Sequence, residues 1–297
     1  MVVPHLNEPE DLRRCLRALD EQRCDGVAFE VVVVDNGSRE PPVAICSEFD
    51  YLRLAIERTP GPGPARSRGA CDARGAIIAF IDADCIAQPG WIRGISAYFA
   101  AHPEVDVLAG DVGVRRADPD QPTALELYEG LYSYRVRLYV ERDHYAATGN
   151  MAVRKAAFQK VGPFGGIATM EDRAWGRRAT ALGLHLAYVP EVRVTTPACM
   201  SFGELTRRWD RHTAHEFKEV APGLRGSVRW AIRSLAVAGS PAFEALRLSL
   251  RSRGYSPSER LRALAILTRI RLYRAGKMLL LLRDNRSAQM VNSWNRN

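Results

Sequence analysis

The sequence lacks long apolar runs, paired cysteines and a leader-like start. In its 297 residues there is no run of roughly 20 apolar residues, the length needed to span a bilayer. The six cysteines show no C-x-x-C spacing and mostly interrupt apolar stretches, as buried thiols do. Met1 is followed by Val2, Val3 and Pro4 rather than by a basic segment and an apolar core. We therefore expect a protein of the reducing cytoplasm, without a secretory leader.

The overall composition is that of an ordinary globular protein. Apolar residues make up 46% of the chain and charged residues 26%, which argues against disorder and against a polytopic membrane protein. The sequence also has no internal repeat and no low-complexity tract. A chain of this length can bury a substantial core, so we expect one main domain with an appendage.

Positive charge is concentrated in the last quarter of the chain. From Arg225 to the end there are fifteen Lys or Arg and three Asp or Glu, a balance of +12 against +8 for the whole chain. The first 224 residues are therefore mildly acidic, at −4. Few aromatic residues are interleaved with these basic ones, so we expect no nucleic acid partner.

Part of this basic region has a cationic amphipathic pattern. Residues 261–282 combine a leucine stripe with four arginines and one lysine, and end in the apolar run Met278–Leu282. One interpretation is a helix lying on an anionic membrane surface, peripheral to the cytoplasmic face. The other is a leucine stripe packed against the catalytic body or a second subunit. We favour the membrane surface.

The first half alternates β-branched runs with helical patterns, which predicts βαβ units and a mostly parallel sheet. A proline and glycine run at 60–64 predicts a loop before one of the helices. The predicted strands are Phe29–Val34, Ile77–Ile81 and Val105–Gly110, and the predicted helices are Asp11–Glu21, Ala65–Ala73, Thr123–Glu141 and one that opens at Glu171.

Acidic residues follow two of the predicted strands. Asp35 ends the first, and Asp82 and Asp84 directly follow the second. Open α/β sheets bind ligands at the carboxyl ends of their strands. Alternate residues point different ways, so one acid of the second pair can meet a ribose and the other a metal. Alternatively, such acids only cap turns.

Three further features stand in the same part of the sequence. Arg66 follows the proline-rich loop, where a guanidinium can reach phosphate oxygens or simply be solvated. Glu171 and Asp172 open a helix, where the dipole by itself favours acids. Gly149 lets the backbone approach a ligand closely, although a plain turn before the next element would look the same.

Taken in order, these motifs resemble family 2 glycosyltransferases over roughly residues 1–215. The matching segments are Val3–Asn7, Val33–Ser38, Ala65–Arg66, Phe80–Asp84, Gly149–Asn150 and Glu171–Asp172. The resemblance implies an α/β protein of GT-A (nucleotide-diphospho-sugar transferase) fold, with a mostly parallel central sheet and a C-terminal helical extension. It places a GT-A domain at 1–224, with a nucleotide-binding half to about 115 and an acceptor half at about 116–224. The basic helical region then spans 225–297.

The resemblance also implies roles for individual residues. Asp172 would deprotonate the acceptor hydroxyl for in-line attack, which inverts the sugar, and Asp84 would bind Mn²⁺ or Mg²⁺. The residues implied in donor or nucleotide binding are Pro4, His5, Asn7, Asp35, Arg66 and Asp82. Those implied on the acceptor and sugar side are Gly149, Asn150, Glu171, Arg208 and Trp209.

The sequence departs from the family pattern at three positions. Leu6 stands where an aromatic residue often contacts the base, which predicts weaker stacking there. Thr195 stands about where many members have a metal-binding histidine, so the full metal shell is not predicted. Leu205 replaces the glutamine of the Q-x-x-R-W motif that processive enzymes carry, and Arg208 and Trp209 match its end. A non-processive enzyme is therefore favoured.

These observations predict an enzyme that transfers a sugar from a nucleotide-sugar, preferentially a UDP-sugar, to a hydroxyl of a glycan or lipid-linked acceptor. Two alternatives stay open. A nucleotidyltransferase also uses carboxylates and a metal at a sheet edge, but it has no need of the acidic pair at 171–172. A catalytically silent protein that binds nucleotide-sugars or polysaccharides is favoured by Leu6 and Thr195.

Overall fold

The computed structural model describes residues 1–167, 169–251 and 254–283. The strands are β1 (Val2–His5), β2 (Val31–Asp35), β3 (Leu52–Ile56), β4 (Ile77–Ile81), β5 (Ile86–Ala87), β6 (Val107–Arg115), β7 (Asn150–Arg154) and β8 (Leu186–Pro197). The helices are α1 (Pro9–Glu21), α2 (Val43–Cys46), α3 (Pro62–Asp72), α4 (Trp91–Ala101), α5 (Ala124–Tyr132), α6 (Val136–Glu141), α7 (Lys155–Val161), α8 (Glu171–Ala181), α9 (Phe202–Lys218), α10 (Leu224–Arg251) and α11 (Pro257–Arg283), with a 3-10 helix at Gln22–Asp25.

The strands form one sheet in the order β3-β2-β1-β4-β7-β6-β8-β5. β1 runs parallel to β2 and β4, and β2 runs parallel to β3. β7 is antiparallel to β4 and β6, and β5 is antiparallel to β8. Since β1, β2 and β4 are parallel, their carboxyl ends meet at one edge. The predicted α/β class is confirmed, with the first four strands as its parallel part.

The residue pattern explains this arrangement. All five residues of β2 are buried, as expected for a parallel strand covered on both faces. Helix α1 buries its leucine stripe, and α3 packs directly against β1. A Cβ added to Gly69 of α3 would lie 2.4 Å from Val2 Cγ1 of β1. Only a glycine therefore lets the helix backbone come this close to the sheet.

The proline-rich loop is shorter than the sequence predicts. Helix α3 begins at Pro62 rather than Ala65, because proline is well tolerated in the first helical turn, where its missing N–H has no partner to lose. The turn itself is made by Gly61, whose φ is 120°. Arg66 consequently lies in the second turn of α3 rather than in the first.

The predicted helix Thr123–Glu141 is two helices. α5 begins with a capping box formed by Thr123 and Glu126 and ends at Tyr132. The chain then passes through Tyr134, whose φ is 49°, a left-handed conformation that cannot continue a right-handed helix. The leucine and tyrosine pattern alone does not reveal this break.

The chain divides into two compact units. One comprises Met1–Gly113 and Tyr134–Pro197 and contains most of the sheet. The other comprises Val114–Ser133 and Ala198–Asn297, and its described helices are α5, α9, α10 and α11. Within this helical unit one apolar cluster surrounds Leu267 and another surrounds Met278. The domain boundaries predicted at 115 and 224 remain predictions.

Helix α11 covers the predicted amphipathic segment, but its buried face is not the predicted leucine stripe. Ala263, Leu267 and Ile270 are buried, whereas Leu261 and Leu272 are exposed. One of the predicted surface arginines, Arg274, is also buried, and its Nη2 lies 2.7 Å from Glu216 Oε2. Among the described residues, no helix is both long and apolar enough to cross a membrane.

Candidate active site

Asp82 and Asp84 lie in the tight turn after β4, where the Cys85 N–H donates to the Asp82 carbonyl. The Asp84 carboxylate accepts hydrogen bonds from Thr196 Oγ1, at 3.3 Å, and from Cys85 Sγ, at 3.5 Å. Burial, together with the nearby charge of Asp82, raises the pKa of Asp84 to about 6. A buried carboxyl whose ionisation is disfavoured in this way is stabilised by a nearby cation.

The carboxylates at this turn are suited to hold a hard divalent ion whose other ligands come from a bound substrate. The described residues contain no group of three or more His, Cys, Asp or Glu side chains placed to hold a metal. Mg²⁺ and similar ions are commonly held by one or two carboxylates plus substrate phosphates. The Asp82 and Asp84 carboxylates suit that arrangement rather than an all-protein cage. Thr195, at the family's histidine position, accepts from Gln88 Nε2 at 3.4 Å.

Arg66 connects the turn after β4 to the acidic pair at 171–172. Its Nη2 lies 2.5 Å from Asp82 Oδ1, and its Nη1 lies 3.1 Å from Glu171 Oε1. The side chain is buried, which alone would lower its pKa, but the charges of Asp82 and Glu171 raise the pKa above its ordinary value. Arg66 is therefore a buried structural cation rather than a solvated one.

Asp172 occupies the first turn of α8 beside this network. Burial and the adjacent charge of Glu171 raise the pKa of Asp172 to about 7. Its Oδ1 accepts a hydrogen bond from the Arg173 backbone N–H at 2.7 Å. A carboxylate with a pKa near neutrality can take up a proton and release it again, as a general base must. Burial, with a smaller contribution from the charge of Asp172, raises the pKa of Tyr139 and Tyr145, whose stacked rings have centroids 5.1 Å apart.

Asp35 and His5 form a second group at the ends of β1 and β2. The Glu8 N–H donates to His5 Nε2 at 3.2 Å, so the proton of the neutral ring is on Nδ1, which lies 3.1 Å from Asp35 Oδ1. Asp35 Oδ2 accepts the backbone N–H groups of Gly37 and Ser38. Burial lowers the pKa of His5, which keeps the ring neutral. His5 and the two backbone N–H groups thus hold the Asp35 side chain at the parallel edge of the sheet.

Two other residues of the same edge are held by loop contacts. Asn7 Oδ1 accepts the Arg39 N–H at 2.9 Å, and its own N–H donates to Ser38 Oγ. Pro4 pairs in register with Val34 of β2. The neighbouring Asn36 donates through its Nδ2 to the Glu57 and Thr59 carbonyls and accepts the Gly61 N–H through its Oδ1. It therefore anchors the turn that starts α3.

Gly149 and Asn150 have different functions in the structure. A Cβ added to Gly149 would lie 2.8 Å from Asp82 Oδ2, so the glycine makes room for that carboxylate. Asn150 is buried, and its amide is fully engaged. Oδ1 accepts from Trp91 Nε1, while Nδ2 donates to the Asp111 and Val192 carbonyls. The Asn150 side chain thus connects neighbouring parts of the sheet. Only the backbone of Asn150 is left to contact the acceptor.

Arg208 and Trp209 belong to the helical unit. Arg208 forms an ion pair with Glu129, which is fully buried. The guanidinium carbon of Arg274 lies 4.4 Å from the centroid of the Trp209 ring. Leu205, in place of the glutamine, is buried in the same unit. The predicted acceptor-side role of Arg208 and Trp209 remains a prediction.

The structure brings together most residues predicted in the first unit. Asp82, Asp84, Arg66, Glu171 and Asp172 are linked by hydrogen bonds, ion pairs and mutual electrostatic effects. Thr196, Tyr139 and Tyr145 were not singled out from the sequence. Thr196 meets Asp84 from 112 residues further along the chain, and a threonine in a strand carries no signal of such a contact.

Comparison with known proteins shows which family the chain resembles. The profile described as Glycosyl transferase family 2 matches residues 1–162. Glycosyltransferase AglE of Haloferax volcanii is 33% identical over 215 residues, covering 70% of this chain and 69% of AglE.

Solved structures share the fold at low sequence identity. Mannosyltransferase PcManGT from Pyrobaculum calidifontis, in complex with GDP-Man and Mn²⁺, has a TM-score of 0.56 at 16% identity and covers 98% of this chain and 77% of its own. TarS 1-349 of S. aureus, in complex with UDP-GlcNAc, has a TM-score of 0.53 at 16% identity and covers 98% and 87%. The fold is therefore of the GT-A type. The family profile and the AglE match together show that this chain belongs to glycosyltransferase family 2 and is a glycosyltransferase.

Proposed function

We propose that this protein is an inverting, metal-dependent glycosyltransferase. It moves a sugar from a nucleotide-sugar, preferentially a UDP-sugar, to a hydroxyl of a glycan or lipid-linked acceptor without processive elongation. The observation that carries the proposal is the position of Asp172, with its pKa near 7, beside the network of Arg66, Asp82 and Glu171. Two structural neighbours, PcManGT and TarS, have been solved with nucleotide-sugars, which supports this donor class.

The chemistry follows from the residues at the sheet edge. Ionised Asp172 takes the proton of the acceptor hydroxyl as its oxygen attacks the anomeric carbon in line with the departing diphosphate. The new carbon–oxygen bond forms while the bond to the nucleotide diphosphate breaks, and the nucleotide leaves with the electron pair. A single displacement of this kind inverts the anomeric centre.

The remaining residues bind and orient the reactants. Asp35, held by His5, accepts from the base, and Asp82, held by Arg66, accepts from the ribose. A divalent ion at Asp84, Mn²⁺ or Mg²⁺, would stabilise the charge of the leaving diphosphate. The Mn²⁺ in the PcManGT complex supports this choice.

The two alternative functions predict different products. A nucleotidyltransferase would transfer the nucleotide, and a silent binding protein would transfer nothing. Incubation with UDP-sugars labelled separately in the sugar and in the uridine separates the three, because a glycosyltransferase alone passes the sugar label to the acceptor and frees UDP. Transfer of the uridine label would contradict the proposal.

We also propose that the C-terminal region attaches the enzyme to an anionic membrane surface on the cytoplasmic side. Helix α10 exposes Leu224, Ile232 and Leu235. At about 100° per residue, these three side chains lie within roughly 80° of one another, so they share one side of the helix. Arg225 and Arg229, which are also exposed, lie on the adjoining side. Such a helix can bury its apolar side at the headgroup boundary while its arginines meet lipid phosphates.

A further inference from the structure

Strand β8 brings two adjacent threonines to the turn that holds Asp84, within the sheet-containing unit. Ile86 of β5 pairs with Thr195 of β8, so Thr196 lies beside the chain that leads back from β5 to Asp84. Side chains alternate along a strand, and at this end of β8 residues 192, 194 and 196 are buried. The two threonines therefore face opposite sides of the sheet.

Thr196 is the threonine that contacts Asp84. Its side chain is buried, and its Oγ1 lies 3.3 Å from Asp84 Oδ2. Thr195 Oγ1 instead accepts a hydrogen bond from Gln88 Nε2 at 3.4 Å. A side chain that binds a metal together with Asp84 must face Asp84. In this chain that place belongs to Thr196, although the sequence alone points to Thr195.

The two oxygens are spaced like two ligands of one small cation. Neighbouring ligands of an octahedral Mg²⁺ lie at right angles, each about 2.1 Å from the ion, so their oxygens are about 3 Å apart. The distance of 3.3 Å between Thr196 Oγ1 and Asp84 Oδ2 is close to this value. A threonine hydroxyl has two lone pairs besides its proton, so it can donate to Asp84 or present a lone pair to an ion. Serine and threonine hydroxyls bind Mg²⁺ in this way in P-loop enzymes.

We infer that Thr196 is a ligand of the metal ion that Asp84 holds, in a shell made of oxygen atoms alone. The inference rests on the proposed metal role of Asp84. The Thr196 hydroxyl and the Asp84 carboxylate then supply the protein ligands, and the donor phosphates and water supply the rest. Oxygen ligands suit Mg²⁺ and Mn²⁺, whereas an imidazole nitrogen favours ions such as Ni²⁺. A threonine in place of histidine therefore shifts the metal preference towards Mg²⁺ and Mn²⁺.

The first test removes each threonine hydroxyl in turn and measures UDP affinity calorimetrically in the full chain with Mg²⁺. Thr196→Val keeps the size of the side chain, and UDP affinity should fall about tenfold or more, the loss usual when a metal site loses a supporting group. Thr196→Ser keeps the hydroxyl and should bind UDP nearly as the parent does. Thr195→Val is the matched control. It removes the hydroxyl that bonds to Gln88 and should leave UDP affinity unchanged.

The second test separates a metal ligand from a residue that only orients Asp84. Thr196→His offers an imidazole at the position of the hydroxyl. The ratio of UDP affinity with Ni²⁺ to that with Mg²⁺ should therefore rise about tenfold or more over the parental ratio. Thr195→His should keep the parental ratio, because its side chain lies on the other face of β8. Melting temperatures confirm that the variants fold, and Thr196→Val decides the question if Thr196→His does not.

Two results would overturn the inference and leave the proposed function intact. One is equal UDP affinity of Thr196→Val and Thr195→Val with Mg²⁺, and the other is a parental ratio in folded Thr196→His. A different result tests the proposed function itself. If the parent binds UDP equally well with Mg²⁺ and with a chelator, the metal role of Asp84 is contradicted, and the inference falls with it.

Discussion

The raised pKa of Asp172 comes from its burial and its neighbours. An ordinary aspartate has a pKa of about 3.9, whereas burial and the charge of Glu171 raise the pKa of Asp172 to about 7. Glu171 is the partner of Arg66. Glu171 is therefore engaged in the ion-pair network, whereas Asp172 is the acid that we propose for proton transfer.

Replacing Asp172 should abolish catalysis and spare donor binding. We expect Asp172→Asn to slow single-turnover transfer by about 10²- to 10⁴-fold, the usual contribution of a general base. Donor affinity should stay nearly parental, because the base acts on the acceptor proton mainly in the transition state. Glu171→Gln should be milder. Near-parental turnover in Asp172→Asn, or a loss of donor affinity in proportion to rate, would show that Asp172 is not the base.

Gly149 should be intolerant of even a methyl group. In Gly149→Ala the new Cβ would lie 2.8 Å from Asp82 Oδ2, which displaces the carboxylate proposed to bind the ribose. We expect donor affinity to fall about tenfold, the loss typical of a hydrogen bond to a charged group. Gly166→Ala is the control, since no atom lies within 4 Å of its added Cβ. Equal affinities of the two variants in calorimetry would count against the contact.

The residues of the site differ in how far the sequence predicts them. Asp35, Asp82 and Asp84 each follow a strand with a strong apolar pattern, so their shared edge is predictable. The pairing of Arg66 with Glu171 joins residues 105 positions apart, and no local pattern encodes such a contact. The same holds for the orphaned Nε of Arg173, which only the folded chain reveals.

Among the elements, buried strands are the most predictable. Ile77–Ile81 is found with the predicted bounds, because five consecutive apolar residues between turn formers leave few alternatives. Helix starts are harder, as α3 shows by beginning within its proline run. Which face of α11 is buried depends on tertiary packing, since leucines occur on both of its faces.

Helix α10 should determine lipid binding. We expect the full chain to float with vesicles containing anionic lipid at physiological salt, and Ile232→Glu with Leu235→Glu to stay in the dense fraction. The reason is that both side chains are exposed on one side of α10, and a carboxylate there opposes both apolar burial and attraction to anionic headgroups. Val43→Glu, at an exposed valine of the other unit, should float like the parent. If the parent protein also remains in the dense fraction, membrane attachment is contradicted.

At the scale of the whole molecule, the raised pKa of Asp172 links catalysis to stability. Its pKa is about 7 in the folded state and about 3.9 in an unfolded chain. The protonated form is therefore favoured by folding, and this stabilisation is complete below about pH 4 and is lost as the pH rises to about 7. Asp172→Asn cannot ionise, so it should melt higher than the parent by a margin that grows between pH 5 and pH 8. A margin independent of pH would show that the carboxyl titrates normally.

In the proposed mechanism, donor, metal and base act together at one edge of the sheet, and the product and its dependence on metal test that mechanism. The most direct measurement follows the anomeric proton by NMR while the enzyme turns over an α-linked UDP-sugar. The reaction is run once with Mn²⁺ and once with a chelator, with the acceptor or water as the nucleophile. We expect that the first product formed is the β anomer, that UDP is released with it, and that the chelator stops the reaction. An α product, transfer of the uridine nucleotide, or equal rates with chelator would contradict it.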